Sequence, residues 1–244
     1  MATVGGAAVN VTGHIAVTTA ALASRSPGHA DTRRSSAIEV PVVALGAALP
    51  DLASMGHFRL LGKARPGSDL AVGIDAHHTT DHHFHRHPWF LELSGDTARR
   101  LTDVGLSRGA ARACGHVGVE LLIDGRLWRE GVVRTATRRT FRQLASLLDG
   151  DDAELAGLVV PNRRAAWLTH LERLSTGDPP ADQDDPAATA GRLFRILQRR
   201  PRLRFDAEHI PLVEATLAQV NPAITARSLT LVDELAGRAL EPRR

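Results

Sequence analysis

The sequence has 244 residues, of which 43% are hydrophobic, 23% are charged and 4% are aromatic, and its formal net charge is +3. This length and composition are sufficient for a large hydrophobic core and exclude generic disorder. No apolar run approaches the ~20 residues that a membrane-spanning helix needs, and the first residues lack the basic segment of a secretory signal. We therefore expect a soluble, cytoplasmic protein that does not bind membranes.

Arginine dominates the basic residues, since Lys63 is the only lysine among the 30 lysines and arginines. Acidic residues interrupt the arginines along most of the chain, so the positive net charge is weak support for nucleic-acid binding. The only cysteine, Cys114, excludes an intrachain disulfide and a thiolate zinc cluster. Any metal ligands must therefore be His, Asp or Glu side chains.

Ala, Leu and Arg at helical spacing dominate the chain, and alternating strand patterns are scarce, which predicts a nearly all-helical fold. A first helix is predicted from about residue 7 to 23, followed by a polar surface loop at 24–36. A second helix, from about 37 to 55, is apolar almost all round and is therefore expected to be buried. Pro50 marks a kink or an end in it.

A third helix is predicted from about residue 69 to 86, because the residue before Pro88 avoids the helical region. Ser107 can cap the next helix, and residues 149–151 interrupt the one after that. The length suits one large domain or two small ones, and we expect a single all-helical domain over residues 1–244.

The clearest loop is the acidic, proline-rich segment at residues 176–186, which we expect to be mobile. Two last helices are predicted after it. Asn221 is expected to cap the final helix, with Pro222 at its first position.

Six of the 12 histidines lie in one segment, HHTTDHHFHRHP. His77 and Asp81 are four residues apart, which places both side chains on one helix face, close enough to share an ion. His85 extends this row by another turn, while His78 and His82 form a parallel row. Imidazole and carboxylate ligands suit Zn, Mn or Fe. The alternative interpretation is a solvated helix end.

Four further ionisable residues stand on otherwise apolar helices: His14, Asp51, His116 and Glu120. An unpaired ionisable group in such a place is costly, so these groups tend to be paired or metal-bound, and one convergent metal site would explain them all. Each also has a structural alternative. His14 can be a hydrogen-bonded core histidine, Asp51 a helix cap, and Glu120 an exposed partner of Arg126 or Arg112.

The order of these motifs resembles the acyl carrier protein phosphodiesterases, which belong with the divergent HD-type metal phosphohydrolases. The matching features are a histidine in the first helix, then GAALPDL, GIDAHHTTDHHFHRHP, a mid-chain acidic helix ending at Trp128, and QRRPRL. The resemblance spans roughly residues 10 to 238. It implies an HD-domain-like helical bundle with a divalent metal, Mn, Fe or Zn, in the helical core.

Four residues match the metal-binding motifs of this family. His14 corresponds to the histidine of its N-terminal motif, and Asp51 to the aspartate of its Gly-x-Leu-x-Asp-Phe segment. His77 and Asp81 correspond to its His-x3-Asp pair. The resemblance therefore implies that these four side chains are metal ligands.

The chain also departs from the family's pattern. His85 stands where the family usually carries a second aspartate, and the mid-chain Asp-His-Phe-Leu motif is not reproduced. His116 and Glu120 lie in the neighbourhood of that motif, where they can complete a second metal position. The loop at 24–36 resembles an insertion. These departures point to a different ligand set, metal or substrate.

The activity that the resemblance implies is phosphodiester hydrolysis by a metal-activated water. His78, His82 or His85 would protonate the leaving oxygen, because imidazole titrates near neutral pH. Two alternatives stay open. One is an HD-type hydrolase of a nucleotide or another small phosphoester, and the other is a non-enzymatic metal-binding helical protein.

The resemblance implies that the substrate is the phosphopantetheine diester of an acidic carrier protein. The segment RLFRILQRRPRLR holds six arginines and no acid, and Arg199, Arg200 and Arg202 are the candidate docking residues. Phe194 and Phe205 are expected in the core, so single-stranded nucleic acid lacks a stacking platform. We expect no nucleic-acid partner. The alternative is that this run is a solvated surface.

Overall fold

The computed structural model describes residues 10–25, 40–61, 64–177 and 182–241, and every regular element in these ranges is helical. The α-helices are α1 Val11–Ser24, α2 Val40–Met55, α3 Asp69–Phe84, α4 Pro88–Asp103, α5 Arg108–Arg129, α6 Gly131–Asp149, α7 Ala153–Gly157, α8 Arg164–Ser175, α9 Pro186–Leu197 and α10 Ile210–Ala236. Two 3₁₀ turns, Pro161–Arg163 and Ala207–His209, precede α8 and α10. The predicted all-helical class is confirmed, and the HD-domain-like arrangement stays a prediction.

The chain forms two compact units that alternate along the sequence. The first unit comprises residues 1–82, 131–178 and 232–244, and the second comprises 83–130 and 179–231. The single domain expected over the whole chain stays a prediction.

The first unit is built on α2, which packs against α1 and α6, while α6 also packs against α1 and α8. Its core is aliphatic apart from Trp167, whose indole N–H donates to the carbonyl of Leu155 at 3.0 Å. The largest side chains buried on α1 and α2 are Ile15, Leu45, Leu49 and Leu52. α1 and α2 are therefore apolar on most faces because they are surrounded, as the sequence predicts for residues 37–55.

The second unit is built on α5, which packs closely against α4 and also against α9. Gly115 permits the α4 contact, because a Cβ there would lie 2.6 Å from the carbonyl oxygen of Ser94. Phe84 and Phe90 are buried with their ring centroids 4.2 Å apart. This pair forms the end of the core next to His85 and His116.

Several predicted boundaries are confirmed. The third helix ends at Phe84, within two residues of the predicted end, and Ser107 caps α5 by accepting a hydrogen bond from the amide of Ala110 at 3.3 Å. α6 ends at Asp149, and Asp151 adopts a left-handed backbone conformation with φ of 52°. α2 continues through Pro50 to Met55, so that proline does not end the helix.

The prediction that Asn221 caps a new helix with Pro222 at its first position is wrong. Both residues lie inside α10, which continues for 14 residues beyond Pro222. Val220 and Ile224 are buried on either side of the proline, and tertiary packing of this face outweighs the local signal. The Asn221 side chain instead donates to the carbonyl of Asp184 at 3.3 Å.

Some predictions fall partly on residues outside the described ranges. These are the start of the first predicted helix at 7–9, most of the loop at 24–36, the start of the second predicted helix at 37–39, and residues 178–181 of the acidic loop. Within the described part of the chain, no helix combines the length and apolarity needed to cross a membrane.

Candidate metal centres

Three helices of the first unit bring His14, Asp51 and His77 together. One potential ligand atom from each side chain lies within 4.8 Å of the other two, so the group can hold a metal ion. His14 Nε2 is 3.7 Å from Asp51 Oδ2, and the His14 and His77 ring centroids are 4.0 Å apart. Two ligands bound to one zinc ion at a tetrahedral angle lie roughly 3.3–3.6 Å apart, so the distance between His14 and Asp51 is close to the spacing that coordination requires.

Burial makes this first group unusual. His14 and His77 are 2% and 7% exposed, and Asp51 is 19% exposed at its side chain. Ionisable groups in such surroundings need a charged partner or a metal, because leaving them without one costs several kcal/mol as an order of magnitude. The partly exposed Asp51 also leaves one side of the group open to solvent.

A backbone contact orients His77. Its Nδ1 lies 2.9 Å from the carbonyl oxygen of Ala47 on α2 and donates to it, which selects the tautomer with a lone pair on Nε2. Metal-ligating histidines usually donate their other ring N–H in this way, which fixes the ring and raises its basicity. No sequence pattern indicated the role of Ala47.

Two glycines make this contact possible. A Cβ on Gly73 would lie 2.0 Å from the carbonyl oxygen of Val43, and a Cβ on Gly46 would lie 2.4 Å from that of Leu70. Only glycine permits α2 and α3 to cross at this separation. His77 follows Gly73 by one helical turn on α3, so the glycines position its ring against α2. Gly46 begins the motif GAALPD and Gly73 begins the motif GIDAHH, but nothing in the spacing of either motif indicated that the two glycines lie at a helix crossing.

The remaining predicted residues of α3 lie further along the helix. Asp81 is half-buried one turn after His77 and is not among the three mutually close ligands. His78 and His82 are exposed, and the His78 ring packs edge-on against His77 with centroids 5.2 Å apart. The roles predicted for these three residues stay predictions.

A second group, His85, His116 and Glu120, lies in the second unit. Both histidine Nε2 atoms face Glu120 Oε1, at 3.7 Å from His85 and 3.2 Å from His116. The two imidazole rings stack with centroids 4.9 Å apart and an interplanar angle of 13°. The four-residue spacing of His116 and Glu120 thus produces the contact that it predicts. The expectation that His116 shares a site with His77 stays a prediction.

Glu120 is 7% exposed, which contradicts the alternative interpretation that it is an exposed partner of Arg126 or Arg112. Arg126 instead pairs with Glu130, with 2.5 Å between Nη1 and Oε1. The side chain of Glu120 therefore points into the second unit, where its described contacts are with the two histidines.

A third group of ligand types, Asp206, Glu208 and His209, surrounds the 3₁₀ turn before α10. The sequence pattern did not indicate this group, although its residues are nearly adjacent in the chain. Asp206 and Glu208 are exposed and His209 is half-buried. Exposed acidic groups of this kind are common without an ion, so the group adds nothing to the assignment.

The candidate docking arginines follow α9. Arg199 and Arg202 are exposed, and Arg200 is half-buried. Arg192, at the start of the same run, hydrogen-bonds Asp182 and holds the pKa of that carboxyl below its usual value. Phe205 is buried and packs edge-on against the half-buried Phe194 at 5.7 Å, in agreement with their predicted core role.

Comparison with known proteins adds no relative. No family model, no curated protein and no solved structure matches this chain. The geometry of the described residues therefore carries the functional argument.

Proposed function

We propose that this chain is a metal-dependent phosphodiester hydrolase whose metal ion is held by His14, Asp51 and His77. The observation that carries the proposal is the convergence of these side chains from three helices into an apolar interior. The segments that supply them are far apart in sequence, so local spacing does not account for the contact. Two nitrogens and one carboxylate suit Mn, Fe or Zn.

The residues of the proposed site have different roles. His14 and His77 each offer an imidazole nitrogen, and Asp51, the most exposed of the three residues, offers a carboxylate oxygen. Asp81 is the proposed fourth ligand, one turn from His77 on the same helix. When bound, the metal polarises a phosphoryl oxygen and lowers the pKa of a water at an open position.

Leaving-group protonation is assigned to His78 or His82. Both are exposed on α3, where a substrate can reach them, and imidazole exchanges protons near neutral pH. His85 is the third candidate for this role from the sequence. Its contact with Glu120 favours a ligand role instead.

Hydrolysis of bis(p-nitrophenyl) phosphate with added Mn²⁺ tests the proposed reaction. We expect turnover by the wild type and a fall to background for His77→Ala and for Asp51→Asn, because each removes a proposed ligand. His57→Asn is the control, since His57 is an exposed histidine outside the three groups and asparagine tolerates its positive φ of 56°. A metal-loaded wild type without turnover of this diester or of nucleotides would contradict a hydrolase and favour a metal-binding protein.

The proposed substrate is an acidic carrier protein that bears a phosphopantetheine diester, and Arg199, Arg200 and Arg202 are the proposed docking residues. The exposure of Arg199 and Arg202 supports this role. Replacing all three with Ala should reduce carrier-protein turnover more than small-diester turnover, and the difference should shrink as salt screens the charges. Equal losses on both substrates would contradict docking. Turnover confined to nucleotides would favour the small-phosphoester alternative.

A further inference from the structure

The histidines and the glutamate of the second unit form a site of their own. His116 and Glu120 are one turn apart on α5, and His85 lies just after α3 with its Nε2 directed at the same carboxylate oxygen. We propose that His85, His116 and Glu120 bind a second divalent transition-metal ion, with zinc as the best match. This inference does not depend on the proposed hydrolase activity.

The position of Glu120 is the first argument. Glu120 is 7% exposed and its neighbours in sequence, Val119 and Leu121, are also buried, so the carboxylate is largely withdrawn from water. Two imidazoles approach one of its oxygens, at 3.2 and 3.7 Å. The His116 nitrogen lies within hydrogen-bond distance of this oxygen, and the His85 nitrogen lies beyond it. A divalent ion between the three side chains would engage both nitrogens and the carboxylate together.

The distances are the second argument. Ligands bound to one zinc ion at a tetrahedral angle lie roughly 3.3–3.6 Å apart, and the two observed nitrogen–oxygen distances lie within a few tenths of an ångström of this range. The side chains of His85 and His116 are 33% and 43% exposed. Water can therefore reach the fourth position, as in zinc sites with two histidines, one glutamate and an open position.

Aromatic packing fixes the ligands. The buried Phe90 ring lies 5.1 Å from the His116 ring and 5.6 Å from the His85 ring, measured between centroids. Phe84 packs edge-on against His85 at 5.2 Å. These contacts restrict imidazole rotation before an ion binds, so less conformational entropy is lost on binding.

The donor set defines the class of ion. Magnesium and calcium prefer shells made of oxygen atoms, whereas this group supplies two nitrogens and one carboxylate. We therefore expect the site to hold Zn²⁺ in the presence of excess Mg²⁺.

Zinc binding to the full-length His77→Ala protein tests the inference, because this background removes a ligand from the first group. We expect one zinc per chain by calorimetric titration and by elemental analysis after dialysis against Mg²⁺. Adding Glu120→Gln or His85→Ala should remove that zinc, and adding His57→Asn should retain it. His85 is one-third exposed, so His85→Ala serves where a buried substitution disturbs folding, with circular dichroism as the check.

The possible outcomes separate the two sites. A His77→Ala protein that binds no zinc would overturn the second site, and so would zinc that persists in a folded Glu120→Gln variant. If the wild type also binds only one zinc and Glu120→Gln abolishes it, the second site stands and the first metal group is refuted.

Discussion

The hydrogen bond from His77 Nδ1 to the carbonyl of Ala47 is the residue-scale feature on which the first metal group depends. It selects the tautomer in which Nε2 carries the lone pair, and it fixes the ring, one nitrogen of which lies within 4.8 Å of potential ligand atoms of His14 and Asp51. The neighbouring His78 has the same side chain but is exposed, because it lies about 100° further round the helix. Helix geometry thus separates the ligand from a solvent-facing histidine.

The sequence predicted part of this arrangement at the residue scale. A histidine or carboxylate on an apolar helix needs a partner, and that argument singled out His14, Asp51 and Glu120, which the structure places in two groups of potential ligands. It could not assign partners, because contacts between helices depend on packing and not on spacing within one helix. The pairing of His85 with Glu120 therefore emerged only from the structure.

Cys114 gives a prediction about reactivity. Burial raises the pKa of its thiol to about 12, so at pH 8 roughly one molecule in ten thousand carries the thiolate. We expect negligible reaction of the folded protein with Ellman's reagent at pH 8 and full reaction in denaturant. The pKa of Cys114 is higher in the folded state than in the unfolded state, where it is near 9.0, so ionisation of the thiol favours unfolding. The stability that depends on a neutral Cys114 is therefore complete below pH 9 and is lost as the pH rises towards 12.

A second thiol supplies the control for this labelling. Thr176 is exposed, so Thr176→Cys should add one thiol that reacts at an ordinary rate while Cys114 stays protected. Reaction of both thiols at similar rates in the folded protein would contradict the burial of Cys114.

At the scale of the elements, the crossing of α2 and α3 decides whether the first group can form. Gly46 and Gly73 face backbone atoms of the opposite helix, which cannot move aside as a flexible side chain can. The proposed metal ligands on these two helices are Asp51 and His77, so a wider crossing would separate them.

Gly73→Ala should therefore reduce both stability and metal affinity. The added Cβ would meet the Val43 carbonyl oxygen and the Ala47 amide nitrogen, at 2.0 and 2.7 Å, and overpacking of this kind typically costs about 1–3 kcal/mol. Chemical denaturation and metal titration measure the two effects.

Gly95→Ala is the matched control, because no atom lies within 4 Å of a Cβ at this exposed position in α4. Here alanine should raise the free energy of unfolding by about 0.5–1 kcal/mol through its helix propensity. If both variants are equally stable, the crossing is not as tight as the structure indicates.

Pro222 shows why one helix boundary could not be read from the sequence. Asparagine followed by proline is a normal helix start, and nothing local indicates that α10 is already formed by then. The buried residues before and after the proline hold the helix together, although Pro222 has no N–H to donate to the carbonyl of Ala218.

Pro222→Ala should stabilise the protein. Pro222 is exposed, so the substitution removes no core contact. Alanine also supplies the backbone N–H that can donate to the carbonyl of Ala218. We expect the free energy of unfolding to rise by about 1–3 kcal/mol. Alanine also gives the unfolded chain more conformational entropy than proline does, which reduces this gain. Thermal and chemical denaturation measure the change, and a loss of stability would indicate that the helix requires the proline.

At the scale of the whole molecule, the all-helical class and most helices followed from composition and periodicity, because these depend on local spacing. The division into two units that alternate along the chain could not be predicted from composition and periodicity. It depends on which helices contact each other over long sequence separations, as α2 and α6 do in the first unit. Spacing within single helices could therefore not assemble either group, and the prediction that His14, Asp51 and His77 share one site came from the family resemblance.

Anomalous diffraction from crystals of the full chain grown with Mn²⁺ or Zn²⁺ would show whether His14, Asp51 and His77 hold a divalent metal ion. We predict an anomalous peak roughly 2.0–2.2 Å from Nε2 of His14, Nε2 of His77 and a carboxylate oxygen of Asp51. Data at the absorption edge that show the ion bound only elsewhere, with these three side chains clearly ordered, would contradict the claim.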